Sequence, residues 1–226
     1  MAHLIDYLEK VENLTFDQEP LNILDKVCIN EIGYLTYEKW LTASDLKKPI
    51  NLHDFAEGKE LNPDYSFMVT KERVELAEAI VRSRRFASLS LSNYRSVLDK
   101  EVEKQFAAMI FSLPELDYHQ LVFRGTDDSV IGWKEDFQLT YSREIPAHRS
   151  AMTFLEDHLP NLSGRITVSG HSKGGNLALY SAVQSSTALR EKIAELLLLD
   201  SPGLMKSLLE KPSYQELKAR MTVIRP

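Results

Sequence analysis

The chain has 226 residues, 43% of them hydrophobic, which is enough to bury a full core as one large unit or two small ones. A formal net charge of −6 leaves no surplus of Lys and Arg for a nucleic-acid surface, and no apolar run approaches the roughly 20 residues of a membrane helix. The one cysteine, Cys28, excludes an intrachain disulfide and a thiolate metal cluster, and its place on an apolar helix face marks it as a buried structural thiol.

The opening stretch, MAHLIDYLEKVENL, mixes charges into its apolar positions from Asp6 onward and offers no uninterrupted core of a secretory signal, so a cytoplasmic location is expected. Residues 1–60 read as helical and irregular. Pro20 suits a first helical turn, and Leu21, Leu24, Cys28, Ile32 and Leu35 form one apolar stripe. Tyr34, Tyr37 and Trp40 prolong it as an aromatic cluster, better suited to a core than to a ligand box. The loop from Lys48 to Asp64, with Pro49, Gly58 and Pro63, reads as a connection or a flap. Thr70 can cap a helix running to about Arg84, with Val74, Ala77, Ile80 and Val81 inward. Arg82, Arg84 and Arg85 close it, where cations complement the helix dipole; the cluster is too short to argue for phosphate binding. Periodicity assigns Phe86 to Val102 to neither helix nor strand.

From Gln105 the period changes to two. QFAAMIFSL, the turn PELD and YHQLVFRG predict a strand hairpin whose second strand ends at Phe123-Arg124-Gly125-Thr126, and ligands of α/β sheets gather at such strand ends. Val130 to Phe137 is a short amphipathic stretch able to lie across a site. A helical pattern over Arg149 to His158 precedes the strand containing Ile166 and Val168. After it come a helix, a Leu-rich strand over Ala194 to Asp200, two short helical pieces and a strand opening at Met221 to Ile224. This alternation predicts an α/β fold with a mostly parallel sheet covered on both faces. Residues 1–226 are expected to form one domain, with 1–104 mostly helical and 105–226 carrying the sheet.

The most informative stretch is RITVSGHSKGGNLALYSA, Arg165 to Ala182. Gly170-His171-Ser172-Lys173-Gly174 matches G-x-S-x-G, with a buried strand before it and a helix after it, which is the context in which a strained turn lifts a serine hydroxyl above the sheet. Ser172 is thus a candidate nucleophile. A metal hydrolase is disfavoured because no His, Asp and Glu spacing resembles a ligand set, and the pattern of a nucleotide-binding P-loop is absent.

FRGT (Phe123 to Thr126), then Trp133 and Asp136, then GHSxGG about 45 residues on, resembles the class 3 lipases of the α/β-hydrolase superfamily. FRGTDDSVIGWKEDF, GHSKGGNLALY and DSPG are more closely similar to an uncharacterised bacterial hydrolase-like group, over about Leu21 to the end. The resemblance implies an α/β-hydrolase-type fold and an esterase or lipase-like activity on small-molecule ester or lipid-like substrates, without a cofactor. It also implies Ser172 as nucleophile, the amides of Lys173 and Thr126 as oxyanion donors, with the Thr126 hydroxyl assisting, and Trp133 and Asp136 as lid or lid anchor. Lys173 stands where class 3 lipases carry an aliphatic residue, which counts against a purely apolar acyl pocket.

The proton-transfer partners are not evident. The histidines, His3, His53, His119, His148, His158 and His171, all lie at or before the elbow, whereas the fold places acid and histidine after the serine. Asp200 ends a strand near the site but is disfavoured as the acid, whose position in lipases follows the next strand. The expectation is therefore a chain truncated before its acid, its base and its last strands, weak or inactive as it stands. The alternative is a binding or interaction protein on a hydrolase scaffold.

Overall fold

The structure, a computed structural model, describes residues 2–39, 41, 48–57 and 65–225; of Ala2 and His3 only the backbone is described. In chain order the elements are α1 (Ala2–Val11), α2 (Ile23–Ile32), β1 (Ile50–Asn51), α3 (Leu52–Ala56), α4 (Lys71–Arg82), β2 (Ser90–Asp99), β3 (Lys104–Leu113) and β4 (Tyr118–Phe123). Then follow α5 (Val130–Gln138), α6 (Pro146–His158), β5 (Arg165–His171), α7 (Lys173–Gln184), α8 (Thr187–Lys192), β6 (Ile193–Leu199), α9 (Lys206–Leu209), α10 (Pro212–Lys218) and β7 (Met221–Ile224).

The strands form one sheet in the order β1-β2-β3-β4-β5-β6-β7. Pairings from β1 to β4 are antiparallel and those from β4 to β7 parallel, so the sheet is mixed, and the mostly parallel character expected from the sequence holds only in its second half. Two strands lie before residue 104, in the part expected to be mostly helical: β1, of two residues, and β2, of ten. The β2 pattern was illegible because its register slips between Ser92 and Arg95, where Asn93 takes a left-handed φ of 53°, and a bulge breaks the period of two.

Strand β3 shows how the faces are divided. Phe106, Ala108 and Ile110 join a cluster with α6 and α7 residues such as Phe154 and Leu177, while Met109, Phe111 and Leu113 join a second cluster with Ile29, Leu76 and Ile80. Both faces are therefore covered, as alternation with apolar residues on both sides demands. On the second face, beyond β4, the seam with α2 is polar. Gln120 Nε2 donates to Lys26 O (2.9 Å) and to Ser169 Oγ (3.0 Å), Ser169 Oγ donates to Asn30 Oδ1 (2.9 Å), and Lys26 pairs with Glu195.

The helical cover differs from expectation in detail. α2 begins after Pro20: Asn22 caps it, accepting from Leu24 N and Asp25 N, while Asp25 Oδ2 accepts from Asn22 N to complete a capping box. Leu24 consequently faces solvent, while Cys28, Ile32, Leu35, Tyr34 and Tyr37 are buried, and burial pushes the Cys28 thiol pKa up. Thr70 caps α4 through Arg73 N as predicted. Arg85 is no surface cation of a helix end: it is buried and bonded to both Asp25 oxygens (2.8 and 2.6 Å). Trp40 and the 58–64 part of the predicted loop lie outside the described residues. No helix among the described residues is long and apolar enough to cross a membrane.

Candidate active site

Strand β5 runs into α7 through a single residue, Ser172, whose backbone takes φ 54° and ψ −126°. That conformation costs a non-glycine residue about 1–3 kcal/mol and persists only where its surroundings impose it. Here they are close-packed backbone. Ser172 N donates to Leu199 O (2.9 Å), tying the turn to β6, and the first turn of α7 closes on Ser172 O from Gly175 N (3.0 Å). α7 crosses the end of β4 so closely that a Cβ on Gly174 would sit 2.0 Å from Phe123 O, and one on Gly170 would meet Gly174 C at 2.2 Å. The glycines of the motif thus permit the contact between helix, strand and neighbouring strand that sharpens the turn.

Thr126 follows β4 at the same sheet edge, two residues past Arg124, and its side chain is buried. Its hydroxyl donates to Asp136 Oδ2 (2.5 Å) on α5, so the hydroxyl expected to face an oxyanion is turned to the helix instead. Burial raises the Asp136 pKa, against the opposing effect of the Thr126 hydrogen bond. Neither the Thr126 amide nor that of Lys173, the first residue of α7, donates to another described residue. Both remain free to receive an anion, one of them at a helix N-terminus. Trp133, on α5 like Asp136, is partly exposed with its ring 6.4 Å from that of Phe67.

The Lys173 side chain goes elsewhere than an acyl pocket. It is fully buried, with Nζ 2.7 Å from Glu135 Oε2, 2.5 Å from Gln105 Oε1 and 3.0 Å from Gln105 O. Glu135 in turn accepts from Gln105 N (3.1 Å) and from Ala147 N (3.1 Å) at the start of α6. Burial pulls the Lys173 pKa down while Glu135 holds it up. The departure from the lipase pattern at Lys173 therefore does not argue against an apolar pocket. It is half of a buried pair that fastens the elbow to β3, α5 and α6, and its partner is the Glu of GWKEDF. Glu135 is a residue of this site that no motif singled out; the available signal was the out-of-place Lys173, which needs a carboxylate partner once buried.

Among the described residues no side chain hydrogen-bonds the Ser172 hydroxyl. His171 Nδ1 lies 2.8 Å from Tyr34 Oη, and burial lowers its pKa. His148 is locked: Nδ1 accepts from Ile145 N (3.0 Å), which leaves the proton on Nε2 to donate to Asn176 Oδ1 (2.7 Å), while the ring stacks on Tyr180. His53 bonds Val81 O, His119 bonds Ser112 Oγ and His158 packs on Phe154. Asp200, at the end of β6, takes φ 42°, is exposed, and shares the lining of an open cavity of about 350 Å³ with His171 and Arg73.

A mixed sheet with helices on both faces, whose inner parallel strand turns sharply through a serine into a helix, defines an α/β-hydrolase-type fold. Residues 80–226 match the model of the Mbeg1-like family, and the chain belongs to that family. Curated proteins offer no match. Among solved structures it is similar to a fungal lipase bound to an inhibitor (TM-score 0.49, 14% identity, over 99% of this chain and 72% of that one). It is also similar to a Rhizomucor miehei lipase in complex with its propeptide (0.47, 13%, 99% and 60%) and to the lipase of Rhizopus microsporus var. chinensis (0.46, 12%, 88% and 65%). The chain thus spans less than two thirds of the length of the latter two.

Proposed function

We propose that the protein is a serine hydrolase of esterase or lipase-like type that forms an acyl-enzyme on Ser172. The observation carrying this reading is the positive-φ serine on a strand-to-helix turn, a strained conformation that an ordinary turn between strand and helix does not require. In this reading the Ser172 hydroxyl attacks an ester carbonyl, and the free amides of Lys173 and Thr126 receive the charge that develops on its oxygen. Such a preorganised donor contributes roughly 2.7–4 kcal/mol to the transition state. Asp136, by holding the Thr126 hydroxyl, fixes the loop that presents the second amide.

A second reading, a binding protein on a hydrolase scaffold, draws on the absence of a described base beside Ser172. A fluorophosphonate probe separates the two. Labelling of the wild-type chain that Ser172→Ala abolishes is the expected result, since such a probe tests the nucleophile and its oxyanion donors together. No Ser172-dependent labelling favours the scaffold reading. The substrates in view are small esters or lipid-like molecules, and a cytoplasmic site of action accompanies this proposal.

A further inference from the structure

Beside the loop that carries Thr126 lies a second cavity, of about 290 Å³, between residues 34–39, 65–69 and 124–129. That size is near the lower end of small-molecule sites, about 300 Å³. Its lining includes Arg124, which is 5% exposed. The guanidinium makes a single hydrogen bond, from Nη2 to Ser96 Oγ (3.3 Å), no carboxylate among the described residues lies within ion-pair distance, and its Nε is buried without an acceptor. Thr36, lining the same cavity, has a buried hydroxyl with no partner either. Of the three buried side-chain polar atoms left without a partner among the described residues, two therefore belong to one cavity.

A buried cation is costly unless an anion compensates it, and its remaining donors form a fork suited to two oxygens of one group. The other charges narrow the choice. Glu38, Asp127 and Asp128 also line the cavity, with Lys39. Their carboxylates are already engaged: Glu38 accepts from Tyr94 and Ser96, Asp127 from Ser129 N (2.9 Å), and Asp128 from Met68 N (3.1 Å). With three carboxylates and two cations the lining carries a formal charge of −1, so a ligand that places one negative charge on the Arg124 fork is repelled less than one that carries two.

From this we infer that the cavity is a binding site for a singly charged oxyanion group, a carboxylate or a phosphodiester, held by Arg124 and Thr36. Ser172, Thr126 and Lys173 are not among the residues that line the cavity, and its test uses the full chain carrying Ser172→Ala so that binding is read without turnover. Calorimetric titration with acetate and with glycerophosphocholine is expected to show saturable binding of at least one, and whichever binds more tightly separates a free acid from a lipid headgroup as the source. Inorganic phosphate at pH 8, mainly a dianion, is expected to bind at least tenfold more weakly. Arg124→Gln is expected to abolish binding, and Thr36→Val to weaken it about fivefold while leaving every charge in place. If Arg124→Gln does not fold, Thr36→Val decides. No saturable binding of either probe, equal or tighter binding of phosphate, or affinity unchanged by Thr36→Val overturns the inference.

Discussion

Among the described residues two ion pairs have both side chains fully buried, and they differ in what they join. Arg85 and Asp25, both fully buried, bring the end of α4 against the start of α2. Arg85 also donates to the carbonyls of Leu14, Glu19 and Pro20, and its guanidinium lies 4.3 Å from the centre of the Phe16 ring. Asp25 receives Tyr7 Oη and Asn22 N besides. Every contact of this pair is within the helical cover. Lys173 and Glu135, equally buried, join the residue after the candidate nucleophile to the start of β3, to α5 and to α6. A similar electrostatic device thus clamps a cover in one place and a site in the other.

The sharpest way to break that comparison is to remove one cation from each pair. Either substitution strands a buried carboxylate, which costs about 3–5 kcal/mol. Arg85→Met and Lys173→Met are therefore expected to lower unfolding stability in denaturant by similar amounts. Their effects on Ser172 should diverge. Probe labelling per folded molecule stays unchanged in Arg85→Met and slows at least tenfold in Lys173→Met, a loss of about 1.4 kcal/mol. The double variant Lys173→Met with Glu135→Met, which strands no charge but leaves Gln105 N and Ala147 N without their acceptor, should recover part of the stability without recovering the labelling. Equal labelling in both cation variants would reduce the Lys173 pair to a second structural clamp.

Neither pair was readable in the sequence, for a common reason. Arg85 sits 60 residues from Asp25 and Lys173 38 residues from Glu135, and long charged side chains belong at the surface unless a partner is known. What could be read was local. Periodicity gave β3, β4, β6 and α6 nearly to their ends, and the glycines around Ser172 announced a turn that the backbone adopts. Strand β2 escaped because its bulge interrupts the alternation on which the reading depends. At the site, the elbow and the loop proposed to present an oxyanion donor came from motifs, whereas the direction of the Thr126 hydroxyl depends on Asp136 reaching it from a helix, a fact of packing that no spacing reports. Arg124 stands inside the FRGT stretch, but only the lack of an acceptor for its buried Nε singles it out.

A buried titratable group, neutral where the two pairs are charged, sharpens the contrast through pH. His148 is buried beside the start of α7, and burial pulls its pKa down to about 4, against the opposing effect of the Asn176 hydrogen bond, from an ordinary value of 6.5. The unfolded chain therefore binds a proton at pH values where the folded chain does not. Stability contributed by the neutral ring is complete above about pH 6.5 and is lost as the pH falls toward 4. The shift corresponds to about 3 kcal/mol at most. Midpoints of urea unfolding between pH 7 and pH 4 are expected to fall steeply in the wild type and less in His148→Gln. Parallel curves would show that the ring does not resist protonation. The Arg85 pair carries no such histidine, so acid is expected to loosen the α6 and α7 side of the sheet before the helical cover on the other.

The smallest effect concerns Ser172 itself, and it tests whether the turn is strained as its backbone angles imply. At an ordinary position glycine is less stable than alanine by roughly 0.5–1 kcal/mol, because it loses more freedom on folding. At φ 54° the order should reverse, since alanine keeps the Cβ that makes this region unfavourable and glycine does not. Ser172→Gly is expected to be about 1 kcal/mol more stable than Ser172→Ala in denaturant, although both lack the hydroxyl and neither is labelled by the probe. If alanine proves the more stable of the two, the turn has relaxed to negative φ in solution. The serine would then have lost the geometry from which its role as nucleophile is argued, whereas the Lys173 and Glu135 pair beneath it would be unaffected.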